Sequence, residues 1–382
     1  MLNRRTALAL AAALAAAPVA APAVAQAQDI KIINNVELSG TGVTSGSMWQ
    51  KGVDLAIKEI NASGGILGRK IAIQHLDNQS QPQTAKAIAQ KAIDADPYVM
   101  LGPIFSGDVN VAMALADEAE IPMIMGGEAA ALTQQGMKYL FRTSFSQSNA
   151  MPKLAEYLKK SGITSVAMIW VANDFGKGGR DTMAKELTAR GIKIAADIST
   201  DPGQMDFSAA VVNAAKSGAD ALFAYSNEEE SARLLIALRK LGYDKPIFGE
   251  TVLTSQRVIE LAGAAANGAK GHVGLSVDAP NPLVQEFGRK FAAEYKMNSD
   301  HNGIKGYTAV YFVKAITEKL GKFDRKAFAA ALHTAQLSAK DHPSILMDVA
   351  FDAKGDLNRE SYLVEVKDGR QVITEILPPL GK

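Results

Sequence analysis

The sequence predicts an α/β protein in which parallel sheets are covered by helices on both faces. Short runs of β-branched or apolar residues alternate along the chain with longer stretches whose apolar residues recur with a period near 3.6. Stop signals such as Gly242 and Pro246 separate the two patterns. Alternation of this kind is typical of parallel strands connected by helices. The length of 382 residues is enough for about two such domains.

The strands are predicted from the apolar runs, and the helices from the periodic stretches between them. Trp49, Val53, Ile57 and Ile60 mark one helical stripe. The predicted strands are Ile30 to Leu38, Ile71 to Leu76, Tyr98 to Leu101, Pro122 to Met125, Ser165 to Val171, Ile192 to Ile198, Ala219 to Tyr225 and Pro246 to Phe248. The section from Ile345 to Ile376 is charged and glycine-rich, and it predicts short antiparallel strands instead.

The first 27 residues have the pattern of a cleaved secretory signal peptide. Arg4 and Arg5 precede an apolar run from Ala7 to Ala17, and small residues around Ala27 offer a cleavage site. The run is shorter than the roughly 20 residues that a membrane-spanning helix needs. The arginine pair also resembles a twin-arginine signal, although the general export pathway fits better. We therefore expect an exported protein with no membrane anchor.

Composition excludes several functional classes. The chain has no cysteine, which rules out disulfides, thiolate metal sites and cysteine nucleophiles. Its net charge of +1 provides no overall electrostatic attraction to nucleic acid. The five histidines lack metal-site spacing, and no Gly-x-Ser-x-Gly elbow is present. We expect no catalytic site, no metal and no cofactor.

Small, polar and aromatic residues follow five of the predicted strands. In open α/β sheets, ligands bind beyond the carboxyl ends of the strands, where the N-termini of helices face the ligand. This set suits reversible capture of a small polar molecule. The candidate ligand-binding residues at or near these ends are Ser45, Phe105, Ser106, Gly126, Gly127, Glu128, Phe175, Asn227, Glu250 and Thr251. Glu228 lies at a predicted helix start and can also face the cleft.

Five motifs occur in an order typical of one protein family. They are Asn61 to Lys70, Asp77 to Ser80, Leu101 to Pro103, Leu132-Thr133 with Phe141 to Thr143, and Asp206 to Ser208. The chain resembles the periplasmic leucine/isoleucine/valine-type substrate-binding proteins of ABC importers. The resemblance implies a type I periplasmic-binding fold, with two Rossmann-like lobes, three hinge crossings and a ligand enclosed between the lobes. On this basis lobe 1 is expected to comprise residues 28–146 and 278–347, and lobe 2 residues 147–277 and 348–382.

The resemblance also implies roles for individual residues. Ser106 and the backbone of Gly126 and Gly127 match the positions that hold a ligand's α-carboxylate. Phe175 matches an aromatic wall, and Glu250, or Thr251 one position later, matches the acid that holds the ammonium group.

Two positions depart from the family pattern. Glu128 stands where amino-acid binders have a threonine that binds carboxylate, and Asn227 replaces a tyrosine. An ionised Glu128 would repel a ligand carboxylate in a closed cleft. Either a cationic or amide end of the ligand faces Glu128, or this side chain turns away and serves only as an acid at a helix N-terminus.

These observations predict a monomeric periplasmic solute-binding protein that passes an amino acid, or an amino-acid-like or amide compound, to the membrane permease of an ABC importer. A binding protein for an aromatic or other organic acid is the first alternative. A secreted hydrolase and a ligand sensor are further alternatives, but the first lacks a catalytic motif and the second an output domain.

Overall fold

The computed structural model describes residues 28–380. The predicted signal peptide at residues 1–27 lies outside the described residues.

A five-stranded parallel sheet forms the centre of the part that we call lobe 1. Its strands lie in the order β2-β1-β3-β4-β5. Their bounds are β1 Ile30–Val36, β2 Ile71–Asp77, β3 Val99–Leu101, β4 Met123–Met125 and β5 Leu140–Arg142. Four of the five strands were predicted from sequence, and β5 was missed.

A seven-stranded mixed sheet forms the centre of lobe 2, in the order β15-β14-β10-β9-β8-β6-β7. The five strands from β6 to β10 pair in parallel, whereas β14 and β15 are antiparallel. Their bounds are β6 Ser165–Val171, β7 Lys193–Thr200, β8 Ala221–Tyr225, β9 Ile247–Gly249, β10 Lys270–Val273, β14 Ser361–Lys367 and β15 Arg370–Leu377.

Helices cover both faces of each large sheet. Side chains alternate between faces along a strand, and on β1 Ile32 belongs to one apolar core while Ile33 belongs to another. The same alternation separates Ile169 from Met168 on β6. The helices are α1 Val43–Ala62, α2 Pro82–Asp94, α3 Ser106–Glu118, α4 Gln147–Lys160, α5 Asp174–Ala189, α6 Ser208–Lys216, α7 Glu228–Lys240, α8 Gln256–Ala262, α9 Pro282–Tyr295, α10 His301–Leu320 and α11 Arg325–Leu332.

A small third sheet changes the expected boundary between the lobes. It consists of β11 Gln336–Leu337, β12 Val349–Phe351 and β13 Leu357–Asn358. Val349, Phe351 and Leu357 are buried in the apolar core that contains α1 and α10 of lobe 1. Residues 348–358, predicted to belong to lobe 2, therefore pack with lobe 1, and we propose that the boundary lies near residue 359.

The chain passes between the two large sheets three times. The passages lie between β5 and α4, between β10 and α9, and between β13 and β14. Two lobes of α/β type joined in this way agree with the predicted fold class.

Candidate ligand-binding site

A small cavity lies between the lobes, where the N-termini of five helices converge. The helices α1, α3 and α10 come from lobe 1, and α5 and α7 come from lobe 2. The partial positive charge of each helix N-terminus favours acidic side chains and ligand oxygens nearby. The cavity volume that is open to the centre of a water molecule is about 40 Å³. On the same scale, one water molecule needs roughly 10–15 Å³. In this arrangement the cavity holds a small molecule only.

Seven of the ten candidate residues line this cavity. Both lobes contribute to the wall. The seven are Ser45, Phe105, Ser106, Gly126, Glu128, Phe175 and Asn227; Ile104, Glu228, Val252, His301, Asn302 and Lys305 complete the lining.

Three candidate residues, Gly127, Glu250 and Thr251, are not among the residues that line this cavity. A side chain on Gly127 would meet Leu132 Cδ1 at 2.9 Å and Val109 Cγ2 at 3.1 Å, which places this residue against the core of lobe 1. The structure thus brings seven of the ten predicted residues together in the lining and leaves these three outside it.

Glu250 is held inside lobe 2 by its neighbours. Thr251 Oγ1 donates to Glu250 Oε1 at 2.7 Å, and His272 Nδ1 lies 3.2 Å from the same oxygen. Burial raises the pKa of Glu250 to about 7, and the hydrogen bond from Thr251 opposes that rise. Burial also lowers the pKa of His272 to about 3, so this imidazole is neutral.

Hydrogen bonds to buried groups fix the loop that carries Phe105 and Ser106. Glu37 accepts the backbone N–H groups of Ile104 and Phe105, at 3.1 and 2.9 Å from Oε1. Asp108 faces Glu37, and burial together with the charge of Glu37 raises the pKa of Asp108 to about 9. Asp108 is therefore protonated at neutral pH and adds no second negative charge beside Glu37.

Ser106 connects this loop to the next strand end. Its Oγ accepts the backbone N–H groups of Glu128 and Ala129 at 3.3 and 3.1 Å. The hydroxyl proton of Ser106 is not used in these bonds, since both partners are donors. Ser106 can therefore donate a hydrogen bond into the cavity.

Glu128 faces the cavity and has a cationic partner from the protein itself. Lys305 Nζ, in the first turns of α10, donates to Glu128 Oε1 at 2.6 Å, and both side chains are more than nine-tenths buried. Burial raises the pKa of Glu128, and the charge of Lys305 opposes that rise. Neither of the two sequence-based alternatives for Glu128 included this pair.

Arg142 on β5 supports the segment that carries Gly126 and Glu128. Its Nη1 donates to Gly127 O at 2.5 Å and its Nη2 to Ala129 O at 2.9 Å. Its Nε donates to Asp356 Oδ1 at 2.6 Å, and the arginine is fully buried. Arg142 is thus a positioning residue behind the wall of the cavity.

Phe175 supplies the aromatic wall that the sequence predicted. Its ring stacks on that of Tyr225, with centroids 4.3 Å apart and planes at 22°. Tyr225 is in turn confined by Gly179, where an added Cβ would lie 2.1 Å from the Tyr225 ring. Gln147 Nε2 donates to the Tyr225 hydroxyl at 2.9 Å and fixes its other end.

Glu228, rather than Glu250, is the acid of lobe 2 that faces the cavity. It is the first residue of α7, and Ser45 Oγ donates to its Oε1 at 2.8 Å across the cleft. Burial raises the pKa of Glu228 to about 7, while the hydrogen bond from Ser45 lowers it. The neighbouring Asn227 donates within lobe 2, from Nδ2 to Glu230 Oε1 at 3.3 Å.

The start of α10 carries the site residues that sequence reasoning missed. Asp300 caps this helix, because its Oδ1 accepts the N–H groups of Asn302 and Gly303 at 2.8 and 3.1 Å. His301, Asn302 and Lys305 of this segment line the cavity, and the sequence analysis named none of them. Asn302 Nδ2 is buried without a partner among the described residues.

Two further properties concern residues 28–380. No group of three or more histidine, aspartate or glutamate side chains is arranged to hold a metal ion in this part of the chain. None of the described helices is long and apolar enough to cross a membrane.

Comparison with curated proteins finds relatives along most of the chain. The Leu/Ile/Val-binding protein BraC3 of Rhizobium johnstonii is 27% identical over 350 residues, which cover 91% of this chain and 94% of that protein. The Leu/Ile/Val-binding protein of Escherichia coli is 24% identical over 339 residues, covering 87% of this chain and 89% of that protein.

Solved structures share the fold. The branched-chain amino acid transporter substrate binding protein LivJ from Streptococcus pneumoniae, in complex with isoleucine, has a TM-score of 0.82 at 25% identity and covers 92% of this chain and all of that one (100%). A solute binding protein of an ABC transporter from R. palustris, in complex with benzoate, has a TM-score of 0.85 at 23% identity, covering 93% and 98%. The second likeness shows the fold alone.

A family model described as periplasmic binding protein matches residues 29–371. The chain therefore belongs to the periplasmic binding protein family and has its type I fold.

Proposed function

We propose that this protein is a periplasmic solute-binding protein that encloses a small amino-acid-like or amide ligand between its lobes and delivers it to the permease of an ABC importer. The observation that carries the proposal is the cavity itself. Its wall combines Ser106, Glu128 and Lys305 of lobe 1 with Phe175 and Glu228 of lobe 2. A ligand that contacts both lobes stabilises their closed arrangement.

The polar groups around the cavity favour a ligand with both a hydrogen-bond acceptor and a donor. Ser106 has a free hydroxyl proton, and the Asn302 amide has a buried N–H group without a protein partner. Both would donate to a carboxylate or carbonyl oxygen. Glu228 lies on the opposite wall and would accept from an ammonium or amide N–H. An amino acid or an amide offers this combination, and the charge on Glu228 would strengthen its bond to a cationic end.

Glu228 thus takes the role that sequence reasoning gave to Glu128 or Glu250. Glu128 is already paired with Lys305, and Glu250 bonds to Thr251 and is not among the lining residues. A second buried acid without a cationic partner is costly unless it is protonated or the ligand supplies a donor. The raised pKa of Glu228 agrees with the first state when no ligand is present.

An aromatic or other organic acid is the alternative ligand class. The stacked pair of Phe175 and Tyr225 offers an aromatic surface, and Lys305 offers a positive charge. The relative from R. palustris that was solved with benzoate shares the fold. Such a ligand would present oxygen to both walls and would leave Glu228 protonated.

Export, partner and activity belong to the same proposal. The predicted signal at residues 1–27 supports a periplasmic location, and the curated relatives are binding proteins rather than enzymes. We infer a monomer that binds its ligand without chemical change. The permease is the expected protein partner, and nucleic acid is not.

A thermal-shift screen tests this function. The protein from residue 28 onward is unfolded and refolded to remove any bound compound, and is then screened against amino acids, short amides and aromatic acids. A compound present at 100 times its dissociation constant should stabilise the protein by about 2.7 kcal/mol. We expect a hit among the amino acids or amides and its recovery unchanged after incubation. The absence of any hit, or conversion of the compound, would contradict the proposal.

Variants of Glu228 distinguish the two ligand classes. Glu228→Gln keeps the shape and removes the charge, so it should weaken binding of a ligand with an ammonium end about tenfold or more. For an organic acid, the same change should leave affinity level or improve it. Glu260→Gln, at an exposed position on α8, is the matched control and should change neither.

A further inference from the structure

Two consecutive hydroxyl side chains at the start of α1 face two consecutive acids at the start of α7. Thr44 Oγ1 donates to Glu229 Oε1 at 2.8 Å, and Ser45 Oγ donates to Glu228 Oε1 at 2.8 Å. Because α1 belongs to lobe 1 and α7 to lobe 2, both hydrogen bonds cross the cleft. Two hydrogen bonds between neighbouring residues therefore connect the N-terminus of α1 to the N-terminus of α7.

The two pairs differ in their relation to the cavity. Ser45 and Glu228 line it, so a ligand can compete with or reinforce their bond. Thr44 and Glu229 lie outside the cavity lining, and the Glu229 side chain is 28% exposed. The bond between Thr44 and Glu229 can therefore form whatever the cavity contains.

The surroundings of Glu229 favour its role as an acceptor. It lies in the first turn of α7, where the helix dipole stabilises negative charge. Arg257 Nη2 of α8 lies 3.7 Å from Glu229 Oε1, within lobe 2. Lobe 2 therefore provides a positive electrostatic environment for this carboxylate without any contribution from lobe 1.

We propose that Thr44 and Glu229 form a closure contact that acts independently of the ligand. This pair increases the closed population of the ligand-free protein, while ligand selectivity is decided inside the cavity. Thr44 is thus a positioning residue for capture and does not touch the ligand. The inference goes beyond the proposed function, because it holds for any small ligand.

Distances between spin labels on the two lobes test the proposal without a ligand. The chain has no cysteine, so labels at Lys91→Cys on α2 and Lys216→Cys on α6 would be the only modified sites. Both positions are exposed. In refolded, ligand-free protein we expect a short-distance, closed population. Thr44→Val removes the hydroxyl and keeps the shape, and it should lower the ratio of closed to open protein about three- to tenfold.

Further variants separate a closure contact from a structural role. Thr44→Ser retains the hydroxyl and should retain the closed population, whereas Ser47→Ala on the same helix should leave it unchanged. Glu229→Ala should lower the ratio as Thr44→Val does, and the double variant should lower it no further. The proposal is overturned if the ligand-free protein shows only the long distance. It is also overturned if Thr44→Val matches the unmodified protein, or if Thr44→Ser loses as much closed protein as Thr44→Val.

Discussion

Lys305 Nζ lies 2.6 Å from Glu128 Oε1 inside the cavity wall, and this pair joins the start of α10 to the end of β4. The two residues are 177 positions apart in the chain. The pair neutralises the acid that made an amino-acid ligand doubtful from sequence alone. It also leaves Glu228 as the cavity acid that has no cationic partner among the described residues.

Breaking this pair should destabilise the protein. Glu128→Gln leaves the Lys305 ammonium group buried beside a neutral amide, and Lys305→Met leaves the carboxylate unpaired. Each should lower the free energy of unfolding by about 3 kcal/mol, because a buried charge without its partner is costly. The double variant Glu128→Gln/Lys305→Met should recover much of the loss.

Urea unfolding followed by circular dichroism measures these effects. Strict additivity of the two single variants, or single variants as stable as the unmodified protein, would show that the ion pair does not form.

The ionisation of Glu228 should make stability depend on pH. Its pKa is raised by burial from an ordinary value of 4.5 to about 7 in the folded protein. Between these values the folded protein retains a proton that the unfolded chain has released. The Glu228 contribution to the free energy of unfolding is therefore fully present below pH 4.5. It falls by up to about 1.4 kcal/mol per pH unit as pH rises towards 7, and levels off above that.

Comparison with Glu228→Gln isolates this contribution, because other groups such as His272 titrate in both proteins. In ligand-free protein, the stability of Glu228→Gln relative to the unmodified protein should increase from pH 5 to pH 7 and then remain constant. A difference that does not change with pH would mean that Glu228 titrates normally in the fold.

Two helix glycines should respond oppositely to the same substitution. An added Cβ at Gly179 on α5 would lie 2.1 Å from the Tyr225 ring, whereas at Gly288 on α9 it would meet no atom within 4 Å. Gly179→Ala should therefore displace Tyr225 and the stacked Phe175, and cost about 1–3 kcal/mol. Gly288→Ala should stabilise the protein by about 0.5–1 kcal/mol through helix propensity.

Thermal unfolding of both variants provides the comparison. Only Gly179→Ala should also weaken binding of a compound found in the screen. Equal effects of the two substitutions on binding would contradict the role assigned to the aromatic wall.

Most of the fold could be predicted because its signals are local. All eight strands predicted up to Phe248 are present, with ends shifted by at most two residues. The missed strands β5, β10 and β11 have only three, four and two residues, and β10 reads Lys-Gly-His-Val, which shows no apolar run. Strands this short are defined by their partners in the sheet rather than by their own pattern. The place of β12 in the third sheet depends on pairing with β11, which also lies outside local sequence signals.

Most of the site residues that were predicted lie in the segments between a strand and the following helix, or at the start of that helix. Phe105, Ser106, Glu128 and Asn227 lie at such positions, and the structure brings them together at one cavity. Lys305 could not be found in this way, because it lies on a helix and its partner is distant in sequence. Side-chain contacts also distinguish Glu228, which lines the cavity, from Glu250, which bonds to Thr251 and is not in the lining, and no local sequence pattern shows this difference.

Small-angle X-ray scattering with and without a compound identified by the screen tests the central claim most directly. If the lobes enclose the ligand through contacts such as those of Ser106 and Glu228, the radius of gyration should decrease when the protein is saturated. The ligand-free protein, freed of bound compounds by refolding, should include an open population with a larger radius. The same radius of gyration in both states at saturation would contradict capture by closure of the two lobes.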